Sequence, residues 1–98
     1  KTQLITMELC GGVSQEMNAN DKIQTLVDQV KSSVEAKTGK TYNYFKAVKY
    51  TSQVVNGMNY RIKVQVGGSE YIHVRVYDKH GSLSVTWVEE GKSASDEL

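Results

Sequence analysis

The sequence predicts a single α+β domain in which one helix packs across an antiparallel β-meander. Three observations carry that reading. One stretch alone shows a helical hydrophobic period, the later apolar runs alternate with a period of two, and short turns rich in Gly, Asn or Asp separate them. A chain of 98 residues suits one core and not two. At this size, folding buries roughly 60–65% of the surface that the unfolded chain exposes.

In chain order, residues 1–8 are expected to form a flexible amino-terminal arm, and an edge strand within the first twelve residues is a further option. Residues 18–37 follow as the helix. Ile23, Leu26, Val27, Val30 and Val34 fall at offsets 0, 3, 4, 7 and 11, on one face, while Lys22, Thr25, Gln29, Ser32 and Ser33 take the other. Asn18 and Asn20 both suit the amino cap, Asp21 the first turn and Gly39 the stop.

From Tyr42 onward the period is two. A long run ends at Val55, and Tyr60, Ile62, Val64 and Val66 then alternate with Arg61, Lys63 and Gln65. Ile72, Val74 and Val76 alternate with His73, Arg75 and Tyr77, and Leu83, Val85 and Trp87 form the last run. Asn56-Gly57, Gly67-Gly68 and residues 78–82 are the turns, too short for parallel crossovers. A four-stranded meander results, its apolar face under the helix.

Composition removes several functions. Twelve Lys and Arg against eleven Asp and Glu leave a net charge of +1, without the dominant basic face of a nucleic-acid binder. No apolar run approaches the roughly 20 residues of a membrane span. The single cysteine, Cys10, excludes an internal disulfide and a cysteine-rich zinc site, and fits a reducing, cytoplasmic setting. Cys10 with His73 or His80 is a weak nucleophile–base pair, since His73 is expected to be solvated on the polar face of its strand and His80 lies in a turn. Neither the histidines nor Gly11-Gly12 and Gly67-Gly68 have the spacing of a metal site or a phosphate loop. No catalysis, cofactor or metal is expected.

The hairpin Gln53-Val54-Val55-Asn56-Gly57 is more informative. Asn-Gly alone reads as a type I′ turn, but two valines at a hairpin tip stand in water unless a partner covers them. Leu9 and Cys10 before Gly11-Gly12 repeat that pattern in the arm. A meander places Asp78, Lys79, His80 and Gly81 at the same end of the sheet. Two tips and an apolar arm at one end make a wedge.

These residues resemble the cystatin superfamily. Gln53 to Gly57 matches its Q-x-V-x-G signature. Cys10-Gly11-Gly12, Val27-Asp28-Gln29-Val30, Phe45-Lys46-Ala47-Val48, Asn59-Tyr60, Ile62-Lys63-Val64, the run from Ile72 to Tyr77 and Asp96-Glu97-Leu98 are similar to stefins, the type 1 cystatins. The resemblance spans nearly everything after Glu8 and implies a reversible inhibitor of papain-like cysteine proteases such as papain and cathepsins. It implies that Leu9 and Cys10 reach the non-primed subsites and that the arm bends at Gly11 or Gly12. Gln53, Val54, Val55, Asn56 and Gly57 would enter the primed side. The second loop departs from the family: Asp78-Lys79-His80-Gly81-Ser82 is short, polar and free of proline, which bears on how much it contributes. Stefins usually begin near Met7 and extend past Asp-Glu-Leu. The expected state is a monomer with a domain-swapped dimer as a side product. The alternative function on the same fold is a non-inhibitory protein-binding module.

Overall fold

The computed structural model describes residues 12–98, so the expected arm at residues 1–8 lies outside it. The elements are β1 (Met17–Asn18), α1 (Asp21–Thr38), β2 (Lys46–Val55), β3 (Gly57–Gln65), β4 (Tyr71–Lys79) and β5 (Ser82–Lys92). Among the described residues the strands form one five-stranded sheet in the order β1-β2-β3-β4-β5, with each pair antiparallel. The helix-on-meander prediction holds. Its edge strand, however, is Met17–Asn18, just before the helix and beyond the first twelve residues.

Asn20 is the amino cap, its Oδ1 accepting from the Ile23 amide at 3.0 Å. Asn18 serves β1 instead, pairing with Lys49 and accepting from its Nζ at 2.8 Å. Gly39 ends the helix in the left-handed region at φ 73, where its N–H reaches the Glu35 carbonyl. The predicted stripe Ile23, Leu26, Val27, Val30 and Val34 is buried against Tyr60, Ile62, Val64, Ile72, Val74 and Val76 of β3 and β4. Each such side chain contributes about 1.5–3 kcal/mol of burial. Gln24 joins helix to sheet: its amide donates to the Phe45 carbonyl at 3.0 Å and accepts from the Ala47 N–H at 2.9 Å.

The other sheet face requires corrections. His73 is expected in solvent on the polar face, yet it is 6% exposed, and Lys63, which alternates with the apolar residues of β3, is 2% exposed. Residues 93–98 cross that face, and Lys63 Nζ donates to the carbonyls of Ala94 and Asp96. His73, paired with Lys63 in register, has an Nε2 without a hydrogen-bond partner. Its pKa is lowered, first by burial and then by the positive charges of Lys63 and Lys92, against Glu89 and Asp96. Trp87 is the second correction. A register irregularity between Arg75 and Val76 leaves Val85 and Val88 against the core but turns Trp87 outward, 51% exposed beside the Arg75 guanidinium.

Candidate functional site

The meander brings the β2–β3 and β4–β5 turns to one end of the sheet, because Met58 pairs with both Val54 and Asp78. In the first hairpin, Val55 pairs with Gly57, so the chain reverses around Asn56 alone. The expected type I′ turn over Asn56-Gly57 is absent here: only Gly57 has a positive φ, 117°. Val54 and Val55 are 60% and 41% exposed at this tip. Their carbon surface is unpartnered in water, and only a covering surface can release that cost.

The type I′ geometry appears in the second hairpin instead. Lys79 pairs with Ser82, leaving His80 at φ 54 and Gly81 at φ 96. Asp78 turns inward, its Oδ1 accepting from the Gly81 N–H at 2.8 Å. Lys79 and His80 are exposed. This tip satisfies itself.

Tyr77 binds the two hairpins together, its hydroxyl donating to the Asn56 carbonyl. A Cβ at Gly57 would stand 2.6 Å from the Asp78 carbonyl oxygen and 3.2 Å from the Tyr77 hydroxyl. Glycine is required there by space as well as by φ.

The chain leading into β1 runs along β2 toward the same end. Val13 bridges to Gln53, the Ser14 N–H donates to the Ser52 carbonyl at 2.8 Å, and Ser14 Oγ accepts from the Ser52 N–H at 2.9 Å. Followed backward from Met17 opposite Tyr50, the chain reaches Val13 opposite Gln53, and Gly12 lies next to it. Thus Gly12, the residues from Gln53 to Gly57, and Asp78, Lys79, His80 and Gly81 share one end of the molecule. Leu9, Cys10 and Gly11 lie outside the described residues.

Three contributors to this end escape sequence reading: Val13 and Ser14, which root the arm, and Tyr77, which ties the tips. Tyr77 carries a signal, a tyrosine on the polar face two pairs from a glycine turn. Ser14 carries none. His73 sits mid-strand beneath residues 93–98, while His80 is in the turn, so the two histidines are not gathered into one site. Among the described residues no cluster of three His, Cys, Asp or Glu could hold a metal ion, and no helix is long and apolar enough to cross a membrane.

Comparison with known proteins adds sequence relatives to this geometry. Residues 11–94 match the Cystatin domain family. Cystatin-B of Oplegnathus fasciatus is 42% identical over 94 residues, covering 92% of this chain and 94% of the relative. Cystatin-A of Felis catus is 44% identical over 92 residues, covering 90% and 94%. Leukocyte cysteine proteinase inhibitor 1 of Sus scrofa is 42% identical over 94 residues, covering 92% and 91%.

Proposed function

The chain belongs to the cystatin family, and from that premise we propose that it is a reversible, tight-binding inhibitor of papain-like cysteine proteases. The observation that carries the reading is the pair of exposed valines at the first tip, flanked by the second hairpin and the root of the arm. A relative bearing the name cysteine proteinase inhibitor supports it. The wedge enters the cleft of papain or a cathepsin, with Val54 and Val55 toward the catalytic cysteine. Leu9 and Cys10 occupy the other side of the cleft, on an arm that bends at Gly11 or Gly12. Asp78, Lys79, His80 and Gly81 meet the rim.

Binding draws on desolvation of the tip and requires no bond to be made or broken. The protein acts as a binder and not as an enzyme, without cofactor, in the cytoplasm. The active form is the monomer. Val54 and Val55 are β-branched and favour extended backbone, so opening the first hairpin yields domain-swapped dimers that lose the tip and with it the inhibition.

Titrating papain with the protein, using a fluorogenic peptide substrate, tests the reading. Stoichiometric loss of hydrolysis, reversed on dilution, is the expected result. A folded monomer that leaves papain untouched contradicts it and leaves a non-inhibitory binding module on this fold.

A further inference from the structure

The buried Lys63 is unused by the wedge, and its chemistry is unusual. Enclosing an ammonium group costs several kcal/mol unless charge and hydrogen bonds compensate. Among the described residues, the ion pairs are Lys40–Glu90 and Lys92–Glu89, and neither involves Lys63. It donates instead to two neutral carbonyls, those of Ala94 and Asp96. A methionine would fill the same space without the desolvation cost. Stability alone therefore does not account for a lysine here, whereas fixing the path of residues 93–98 does.

That path leads to the site. Beyond Lys92 the chain turns, with the Ser93 N–H on Asp96 Oδ2 at 2.8 Å and the Asp96 N–H on the Ser93 carbonyl at 3.2 Å. It crosses Lys63 in β3 and reaches Leu98, whose N–H donates to Glu16 Oε2 at 2.9 Å. Glu16 lies between Val13, which bridges to the first hairpin, and Met17 of β1. A hollow of about 360 Å³, lined by Val13, Glu16, Thr51, Arg61 and Leu98 among others, lies at this junction. The root itself is held by a two-residue strand, one bridge and the Ser14–Ser52 pair. Such an edge opens at little cost unless tied elsewhere.

We propose that residues 93–98 form a strap, latched by Lys63 and fastened to Glu16, that positions the root of the amino-terminal arm beside the first hairpin for protease binding. Lys63 and Glu16 are positioning residues and touch no protease themselves. The functional half of the proposal rests on the inhibitor reading; the latch itself does not.

Two measurements on the full chain separate them. Lys63→Met keeps the packing and removes the donor, and Glu16→Ala cuts the other end at an exposed position that cannot unfold the core. Amide hydrogen exchange should accelerate at Ser14 and Ser52 in both variants while the α1 amides stay protected. Papain titration should show inhibition weakened about fivefold by Lys63→Met and less by Glu16→Ala, the size expected for coupling between neighbouring groups. The melting temperature of Lys63→Met should not fall. Unchanged exchange at Ser14 and Ser52 overturns the latch. Faster exchange with undiminished papain inhibition overturns the positioning role. If the parent chain does not inhibit papain, the inhibitor reading fails while the exchange result still decides the latch.

Discussion

The two hairpin tips stand at the same end of one sheet and share a tyrosine, yet they treat water in opposite ways. The first leaves Val54 and Val55 exposed and reverses around one residue, with Gly57 pressed against Asp78. The second closes a type I′ turn, satisfies Gly81 with its own Asp78 and exposes a lysine and a histidine. One tip has surface to gain from a partner. The other is complete by itself and serves as the wall that shapes the first.

The largest effect expected from this contrast follows Val55→Asp. Burying one valine contributes about 1.5–3 kcal/mol, and a carboxylate desolvated without a partner adds a further cost. Inhibition of papain should weaken by more than about 100-fold, mostly through faster dissociation, as read by stopped-flow or surface kinetics. Gly57→Ala strikes the seam between the tips. Strain from the positive φ and the close Asp78 carbonyl should cost about 2 kcal/mol, lowering the melting temperature by about 10 °C.

Acid should have a smaller effect, away from both tips. The neutral form of His73 suits its buried place, so its folded pKa lies below the ordinary 6.5. The stability it contributes is complete above 6.5 and is lost as pH falls through the lower, folded value. Asp96 has the same sign further down: the Ser93 N–H holds its carboxyl below the ordinary 3.8, and that contribution disappears on stronger acidification. Melting temperatures measured between about pH 5 and pH 8 should be level at the top and decline below neutrality, and His73→Phe should flatten the decline.

The smallest effect is expected at the second tip. His80 holds φ 54, a conformation glycine adopts freely, so His80→Gly should stabilise the fold by about 0.5–1 kcal/mol in denaturant melts. It should leave papain inhibition within about threefold, the difference expected when a solvated residue is trimmed.

The legible parts of this molecule were those whose signal is local. The stripe from Ile23 to Val34, the Asn20 and Gly39 caps and the strand alternation follow from neighbouring residues, and the meander then puts both tips at one end. Alternation also assigned Lys63 and His73 to their side of the sheet correctly. It could not show that this side is covered, because residues 93–98 carry no period and their contacts come from β3, some 30 residues earlier in the chain. Trp87 failed for a related reason: one extra residue in the β4–β5 ladder reverses the side chains that follow it, up to a second irregularity between Tyr71 and His73. At the site, Val54 and Val55 announced themselves as apolar residues in a turn. Ser14, holding Ser52 through its hydroxyl and its amide, looks like any other serine until the pairing is known.

The central claim is that the first tip, and not the second, carries the binding. The most direct measurement compares dissociation from papain for two paired variants, Val54→Ser with Val55→Ser and Lys79→Ser with His80→Ser. The first pair should dissociate about 100-fold faster than the parent, and the second no more than about threefold faster. Equal acceleration, or a larger effect from the second pair, would contradict the account.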